Sequence, residues 1–587
     1  ATTEIYTLSL HDALPISWKN NICIAADDGD EAIHAEQADR GRDTLLLKNT
    51  SQPRLGFRVN KIYIDSYYMD PQTQKYPEAN RELMKQFNEG MLVFNYIGHN
   101  DPEVGFTGEG LFSRYEMDHL TNTRLPLFIT ITCDYCQFDA EDVSAGENVF
   151  LNPSAGAIAL ITTTRVVYTD GNDKINRRLM KRLLERDSNG SPLRIGDVLK
   201  LAKRDFNTEI DKNKLNYVLI GDPALKLAYP EHSIQVTRIN GNSGKKNIEM
   251  IPGKNYTVEG EIRSHQNELL SDFNGYIYYN LYDKEKQFTT LAHQDKKTWT
   301  YTHRPDLLTT GKGTIQNGTF RITVTLPIDN SHSGKSGLLN LYAYDESGRE
   351  ANGYTDKLIV STAVEPITED IQGPDIEFAG INDDSFTEGI LVNNPATFVC
   401  KFSDPSGIWS GNSLGKQMTL SLDGACIEEN VARYYKPIAE SEIPEGEFIY
   451  PLPRLSNGLH TLTFKVFDTL GNSSEVTIAF EVKENSETYT ISLEEEPATE
   501  RATISCQDQN GNDVTESKHT RISVTNTLGE EIWSYETTEN NPFPLTWNLQ
   551  DNNGKRVSAG QYYCKGYFET SAGTIVTPAK KIVVITQ

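Results

Sequence analysis

A histidine and a cysteine each stand just after a short apolar run in the first quarter of the chain. The first run, Met91–Ile97, leads through one glycine to His99, and the second, Leu125–Thr132, leads directly to Cys133. Apolar, β-branched and aromatic runs that stop at a polar cluster are typical of buried strands in a parallel sheet. Chemistry gathers at the carboxyl ends of such strands. A thiol beside an imidazole can attack a carbonyl carbon, so the pair predicts a cysteine peptidase or transpeptidase.

The spacing of Cys133 and Cys136 leaves two other kinds of chemistry open. A C-x-x-C pair can be a redox centre or half of a zinc site. No second pair accompanies it, and His99 alone does not complete four zinc ligands. Cys136 is also an alternative nucleophile, but the position directly after a strand favours Cys133.

The chain has seven cysteines, an odd and sparse set that does not indicate a disulfide scaffold. We interpret the cysteines outside the C-x-x-C pair as small buried hydrophobic residues. They are Cys23, Cys400, Cys426, Cys506 and Cys564.

The elements that must position His99 and Cys133 alternate between strand and helix from Trp18 to about Pro230. Besides the two apolar runs, the predicted strands are Asn21–Ala26, Arg58–Asp65, Gly156–Thr163 and Asn216–Ile220. The predicted helices include Asn80–Glu89, Asp173–Arg186 and Gly196–Phe206. Such alternation indicates right-handed crossovers and a mostly parallel sheet that is covered on both faces.

Beyond Pro230 the helical periodicity gives way to short alternating runs separated by Gly, Asn, Asp and Pro. Examples are Gly275–Tyr282, Thr319–Leu326, Leu338–Tyr344, Thr461–Phe467 and Thr477–Val482. This texture predicts antiparallel β-sandwiches. We place three of them at 231–366, 370–485 and 488–587, with linkers at Pro366–Gly373 and Lys483–Glu487.

Length and composition limit the number of domains and the kinds of partner. The chain has 587 residues, which suggests about four domains. Its formal charge is −26, its isoelectric point is near 4.9 and its mean hydropathy is −0.50. The negative charge argues against nucleic acid as a partner. No stretch approaches the ~18–20 apolar residues of a membrane-spanning helix.

The first residues differ in character from the rest. Ala1–Ile16 (ATTEIYTLSLHDALPI) matches the translation of a common short-read sequencing adapter. We therefore exclude this segment from the fold and expect no defined packing there. On this interpretation the domain at 17–230 lacks its own N-terminal part.

Three stretches around the predicted site resemble the gingipain family of cysteine peptidases. They are Asn95–His99, Thr132–Asp134 with Phe138-Asp139, and Asn216-Tyr217 with Gly221-Asp222-Pro223. Within the family, Ala26–Asp30, Ser144–Glu147 and Thr162–Tyr168 are similar to the sortases of the type IX secretion system. The likeness extends over essentially all residues after 17. It implies an α/β caspase-like (gingipain-type) parallel-sheet domain followed by all-β Ig-like sandwich domains.

The resemblance implies roles for particular residues. Cys133 is the nucleophile, His99 is its proton acceptor, and the backbone N–H groups of Asn100 and Cys133 form the oxyanion hole. The family more often has glycine where this chain has Asn100. Asparagine keeps the N–H and tolerates unusual backbone angles.

A third group can orient His99, and Asp27, Asp28 and Asp30 are candidates because they follow another predicted strand. An acidic surface loop or a calcium-binding turn is the alternative. Catalysis by thiol and imidazole requires no cofactor, whereas a structural calcium ion stays open and the metal content is unknown from the sequence.

The substrate pocket is expected along the strand that ends in Thr162, Thr163 and Thr164. An extended substrate can add to the edge of such a strand, with alternate side chains lining the first specificity pocket. An ordinary core strand has the same sequence pattern, so both interpretations stay open here.

The resemblance further implies a cell-surface, outer-membrane-associated sortase of a Gram-negative bacterium. Such an enzyme removes the C-terminal sorting domain from type IX secreted cargo and joins the cargo to anionic lipopolysaccharide. Residues 546–563 resemble such sorting domains and the Ig-like domain of flagellar hook-capping proteins, which implies docking to outer-membrane PorV with PorQ and PorZ. Two alternatives stay open: a surface endopeptidase that only hydrolyses, and a non-catalytic assembly or adhesion protein.

Overall fold

The computed structural model describes most of the chain between residues 18 and 585. The described residues are 18–47, 54–100, 105–106, 110–205, 212–294, 296–328, 334–345, 347–361, 370–382, 391–392, 394–411, 415–428, 430–438, 443–482, 489–494, 497–508, 512, 514, 517–526, 531–538, 542–570, 573–577 and 579–585. Residues 1–16, the linker at 483–487 and the first half of the linker at 366–373 lie outside this set. No helix within it is both long and apolar enough to span a membrane.

A six-stranded sheet forms the centre of the N-terminal domain. Its region contains strands β1 Asn21–Ala26, β2 Arg58–Tyr63, β3 Val93–Ile97, β4 Gly105–Phe106, β5 Phe112–Ser113, β6 Leu127–Ile131, β7 Ala159–Thr163 and β8 Tyr217–Ile220. The strand order is β2-β1-β3-β6-β7-β8, and β4 pairs with β5 in a separate two-stranded sheet. Neighbouring strands from β2 to β7 run parallel, while β8 is antiparallel to β7. Strands β1, β3, β6 and β7 are buried throughout, which explains their nearly continuous apolar sequence.

Helices cover both faces of this sheet. They are α1 Ile33–Leu45, α2 Pro77–Glu89, α3 Arg114–Asp118, α4 Ala145–Phe150, α5 Thr169–Leu183, α6 Ile195–Arg204 and α7 Lys212–Asn216. One core contains apolar side chains of α1, α5 and α6, and the other contains those of α2, α3 and α4. The strands and helices predicted from the sequence lie within a few residues of those observed.

The residues after 231 contain only strands and one short 3₁₀ turn among those described. They are β9 His232–Ile239, β10 Asn242–Ser243, β11 Ile248–Met250, β12 Asn255–Arg263, β13 Gly275–Tyr282, β14 Lys286–Thr289, β15 Thr300–His303, β16 Leu307–Gln316, β17 Thr319–Thr325, β18 Lys335–Ser336, β19 Leu338–Asp345, β20 Glu350–Thr355, β21 Leu358–Val360, β22 Asp375–Ile381, β23 Leu391–Val392, β24 Thr397–Ser403, β25 Thr419–Leu422, β26 Ala425–Glu428, β27 Tyr435–Pro437, β28 Glu445–Pro451, β29 Gly458–Phe467, β30 Ser473–Val482, β31 Thr490–Leu493, β32 Ala502–Gln507, β33 His519–Asn526, β34 Glu531–Thr537, β35 Leu545–Trp547, β36 Gly560–Thr570, β37 Gly573–Val576 and β38 Lys580–Val584.

The first β-region differs from the open sandwich that the sequence predicts. Its main sheet has the order β10-β9-β12-β17-β16-β13-β19-β20, and β20 pairs back onto β9 in parallel. The sheet therefore closes on itself around one apolar core. Closure pairs the two edges that a sandwich leaves open, and alternation of side chains along a strand does not distinguish the two arrangements.

The two later β-regions each consist of two sheets around a shared core. The first combines sheets β22-β24-β28-β27 and β23-β30-β29-β25-β26. The second combines β31-β32-β35 with β34-β33-β36-β37, and β38 pairs with β36. Cys400, Cys506 and Cys564 are buried in these cores, but Cys426 is exposed, so its predicted burial is wrong. It lies on the edge strand β26, where one face meets solvent.

The closed sheet packs directly against the N-terminal domain through the hairpin of β14 and β15. The Tyr301 ring lies 4.6 Å from the Tyr63 ring at the end of β2. Its hydroxyl donates a hydrogen bond to Ser66 Oγ at 3.0 Å. Elsewhere in the contact, Asn340 donates to the backbone carbonyl of Gly56 at 3.0 Å. The hairpin thus contacts the end of β2 and the segment that follows it.

Candidate active site

Strands β3 and β6 are neighbours and deliver His99 and Cys133 to the same end of the sheet. Ile97 lies opposite Ile131 in the parallel register, and Gly98 N–H donates to the Ile131 carbonyl at 3.3 Å. A Cβ atom at Gly98 would overlap Asp27 and the Tyr96 hydroxyl, so the residue before the histidine has to be glycine. The sequence prediction for the two strand ends agrees with this placement.

The His99 ring is held from the neighbouring loop after β1. Its Nε2 lies 2.9 Å from Asp30 Oδ2, and its backbone N–H donates to Asp27 Oδ2 at 3.0 Å. The Tyr96 hydroxyl donates to the His99 carbonyl at 2.8 Å. Because Nε2 faces a carboxylate, the ring proton resides there and Nδ1 keeps its lone pair. Among the described residues Nδ1 has no hydrogen-bond partner, which leaves it able to accept a proton.

The three candidate carboxylates occupy three different environments. Asp27 and Asp28 are buried, whereas the Asp30 side chain is about half exposed. Asp28 accepts a hydrogen bond from the Tyr76 hydroxyl at 2.6 Å. Asp27 accepts a hydrogen bond from the backbone of His99, and Asp30 contacts its ring. The structure therefore favours Asp30 as the group that orients the imidazole.

Cys133 is half-buried at a sharp turn after β6. Its thiol donates to the Val167 carbonyl at 3.4 Å, and Asn100 Nδ2 donates to the Cys133 carbonyl at 3.1 Å. The next residue, Asp134, has a φ of 47°, in the left-handed region. Within the described residues the thiol has no hydrogen bond to His99. Transfer of its proton therefore needs a rotation away from Val167.

The two backbone groups assigned to the oxyanion hole have no hydrogen-bond acceptor among the described residues. Neither Asn100 N–H nor Cys133 N–H has an acceptor in the described part of the chain. Asn100 follows β3 and Cys133 follows β6, so both groups lie at the strand ends. This is the condition that an oxyanion hole requires, although the role itself stays a prediction.

The second cysteine of the C-x-x-C pair is placed differently. Cys136 is buried, and burial raises the pKa of its thiol to about 11. A Cβ atom at Gly146 would overlap it, so helix α4 packs closely against this side chain. Both cysteines are free thiols. Among the described residues no cysteine belongs to a cluster of metal-ligating side chains.

The threonines predicted to line a substrate pocket do not share one environment. Thr162 and Thr163 are fully buried. Thr162 Oγ1 accepts from Thr130 at 2.6 Å, and Thr163 Oγ1 donates to the Thr132 carbonyl at 2.6 Å. These two threonines therefore tie β7 to β6 and do not line a pocket. Only Thr164 is partly exposed, and its N–H donates to Asn216.

The strand β8 also changes the expected route for substrate. It pairs antiparallel with β7, so the edge of β7 is already filled. Just after β7 in the chain, the side chains of Arg165, Val166 and Tyr168 are exposed. An extended substrate would therefore meet the loop after β7, which also provides the carbonyl that contacts the Cys133 thiol.

One residue near the site, His34, was not identified from the sequence patterns. His34 lies in the first turn of α1, is buried, and has its ring centroid 5.0 Å from that of His99, nearly perpendicular at 89°. Its Nε2 lies 3.4 Å from Asp30 Oδ2. The spacing of four residues from Asp30 to His34 at a helix start was the available signal.

Comparison with known proteins agrees with the resemblance predicted from the motifs. Residues 4–228 match the model of peptidase family C25, the gingipain family. Dimeric latent PorU from Porphyromonas gingivalis is 18% identical, with a TM-score of 0.31 over 97% of this chain and 64% of that chain. The chain thus spans less than two thirds of that structure's length.

Two further solved structures are similar to this chain. The complex of Porphyromonas gingivalis RgpB pro- and mature domains is 16% identical, with a TM-score of 0.31 over 61% of this chain and 73% of that one. Fibronectin(III)-like modules of Clostridium thermocellum CbhA are 10% identical, with a TM-score of 0.16 over 35% and 94%. No curated protein matches the chain.

Proposed function

We propose that the chain is a gingipain-type cysteine peptidase that acts as a sortase, with Cys133 as nucleophile and His99 as base. One observation carries the catalytic part of the proposal. The thiol and the imidazole stand at adjacent ends of parallel strands, inside the region that matches peptidase family C25. The hydrogen bond from Asn100 to the Cys133 carbonyl joins the two strand ends directly.

The proposed reaction begins with proton transfer from the Cys133 thiol to His99 Nδ1. The thiolate then attacks the scissile carbonyl carbon, and the resulting oxyanion accepts hydrogen bonds from Asn100 N–H and Cys133 N–H. Loss of one such donor typically costs ~10²–10³ in rate. The imidazolium gives its proton to the leaving amine as the C–N bond breaks, which leaves a thioester on Cys133.

Asp30 supports this cycle by holding the ring of His99. A carboxylate at Nε2 fixes the tautomer in which Nδ1 is the base, and it stabilises the imidazolium that forms. The chemistry of these residues needs no cofactor. The acidic loop after β1 is thereby assigned to catalysis rather than to a calcium-binding turn at Asp30.

The proposed substrates are secreted proteins that carry C-terminal sorting domains of the type IX system. An amine of anionic lipopolysaccharide would resolve the thioester and anchor the cargo at the cell surface. PorV, with PorQ and PorZ, would hold the enzyme at the outer membrane through the last β-region. The support for these partners is the motif resemblance together with the family match.

Mass spectrometry of cargo C-termini tests the proposal. Cells carrying the intact enzyme should yield cargo that ends in an amide-linked lipopolysaccharide fragment, and Cys133→Ala should leave the sorting domain attached. A free C-terminal carboxylate would instead identify an enzyme that only hydrolyses. Unchanged processing in Cys133→Ala cells would show a non-catalytic role, and Cys136→Ala is the matched control.

A further inference from the structure

Three side chains that can bind a metal ion converge behind the catalytic imidazole. Asp30 Oδ2 lies 2.9 Å from His99 Nε2 and 3.4 Å from His34 Nε2. One ligating atom from each of the three residues lies within 4.8 Å of the others. Ligands of a tetrahedral zinc ion with bonds of about 2.0–2.1 Å are separated by about 3.3 Å. The three residues therefore already have nearly the spacing that zinc requires.

The kind of ligand selects the class of metal. Calcium and magnesium prefer oxygen ligands, whereas imidazole suits zinc, copper and nickel. Two imidazoles and one carboxylate form the ligand set of zinc sites that keep a fourth position open. The position of Asp30 between two histidine rings thus points to zinc rather than to the calcium ion considered for this loop.

The local backbone holds these ligands in place. Asp30, Glu31 and Ala32 have φ values of 48°, 57° and 61°, so the chain turns tightly before α1 begins. This turn directs Asp30 back over the first turn of the helix, where His34 follows four residues later. His34 is buried at 5% exposure and packs edge-on against His99. A metal ion would therefore need little rearrangement of the loop.

We propose that Asp30, His34 and His99 bind a zinc ion that reversibly inhibits the peptidase. Coordination uses the lone pair of His99 Nε2, so the ring proton must move to Nδ1. That nitrogen is the one that accepts the Cys133 proton in the reaction proposed above. Zinc-bound His99 cannot act as the base, and Asp30 no longer orients it. The inhibitory role rests on the proposed function, whereas the metal site itself does not.

Calorimetric titration of the full chain with zinc sulfate tests the site without reference to activity. The Cys133→Ala variant is used so that the thiol cannot contribute a ligand. We expect saturable zinc binding by this variant, and Asp30→Asn or His34→Phe in the same background should weaken it by about tenfold or more. His34→Phe keeps a ring in contact with His99, and His119→Gln, an exposed histidine outside the cluster, is the matched control.

Absorption of Co²⁺ as a spectroscopic substitute adds a second readout. Bands of a four-coordinate ion without a thiolate charge-transfer band are expected for Cys133→Ala. Absence of zinc binding, or binding that neither substitution weakens, would overturn the proposal. Circular dichroism shows whether each variant is folded. If Asp30→Asn or His34→Phe does not fold, the titration of Cys133→Ala alone decides the case.

Inhibition is measured separately on the enzyme with Cys133 intact. The factor by which zinc slows cleavage should be at least about tenfold smaller for His34→Phe than for the unmodified protein. Equal inhibition of both proteins would place the inhibitory zinc elsewhere and refute the switch. If the protein cleaves nothing, the proposed function fails, while the binding experiment still decides the metal site.

Discussion

Asp65 of the N-terminal domain and His293 of the β14–β15 hairpin are joined by two hydrogen bonds. The backbone N–H of His293 lies 2.9 Å from Asp65 Oδ1, and its ring Nδ1 lies 3.0 Å from the same oxygen. The other carboxylate oxygen accepts from Ala292 N–H at 2.8 Å. The tip of the hairpin is thereby fixed to the segment after β2. It also lies near the loop after β1, because a Cβ atom at Gly29 would lie 4.0 Å from Gln294 Oε1.

Replacement of Asp65 should loosen this contact. Each hydrogen bond to a charged group stabilises the folded state by about 1.5–3 kcal/mol. Removal of the carboxylate also leaves the N–H groups of Ala292 and His293 without their acceptor. We expect Asp65→Ala to lower the free energy of unfolding by about 2–4 kcal/mol and to expose the hairpin to protease. Urea denaturation measures the first effect and limited proteolysis the second. Glu78→Ala on the surface of α2 is the control, and equal stability of the two variants would contradict the assignment.

The two cysteines of the C-x-x-C pair should differ in reactivity. Cys133→Ala is expected to abolish cleavage, whereas Cys136→Ala should retain most of it. Burial raises the pKa of the Cys136 thiol to about 11, so almost none of it is thiolate at neutral pH. Labelling with a peptide acyloxymethyl ketone at neutral pH, followed by peptide mapping, measures this. An active Cys133→Ala with an inactive Cys136→Ala would reverse the assignment.

Asp30 should influence turnover much more than Asp28. Asp30→Asn keeps the shape of the side chain but removes the charge that orients His99, and loss of this alignment is expected to lower kcat about 10²-fold. Asp28→Asn alters the contact with Tyr76 and serves as the matched control. Steady-state kinetics on a peptide spanning a sorting-domain junction gives both values. Similar kcat values for the two variants would remove Asp30 from its positioning role.

Asn100 should contribute through its side chain as well as its backbone. Asn100→Ala keeps the N–H assigned to the oxyanion hole but loses the hydrogen bond to the Cys133 carbonyl. A neutral hydrogen bond is worth about 0.5–1.5 kcal/mol, so kcat should fall by up to about tenfold with little change in KM. A loss of 10² or more would show that the substitution displaces the backbone donor itself.

The catalytic sheet was predictable because its strands are buried on both faces and therefore read as continuous apolar runs. The ends of these runs placed His99 and Cys133 together without any knowledge of distance. The same pattern misled at Thr162 and Thr163, because a polar residue at a strand end is equally compatible with a pocket and with bonds between strands. The strand that pairs with the edge of β7 is β8, which lies more than 50 residues later in the chain.

Contacts that depend on loop geometry were beyond reach of the sequence. Asp27, Asp28 and Asp30 are chemically alike, and only the turn after β1 decides which carboxylate meets the imidazole. His34 belongs to a different element from His99 and comes close to it only because α1 packs behind β3. In the first β-region, closure of the sheet depends on β9 and β20 meeting, which residue alternation along each strand does not encode.

Asp404 should make the stability of the β22–β30 region depend on pH. Burial raises the pKa of its carboxyl to about 7. A hydrogen bond from Ser406 N–H lowers this pKa but does not outweigh the effect of burial. The folded state therefore holds a proton that the unfolded chain releases near pH 4, so stability falls as pH rises from about 4 to about 7 and then levels off. Asp404→Asn removes this dependence while keeping an oxygen that accepts from Ser406. Calorimetric scans of the full chain should give the variant a higher Tm than the unmodified protein at about pH 8, with the difference shrinking towards about pH 4. A difference that stays constant across this range would mean that Asp404 ionises normally despite its burial.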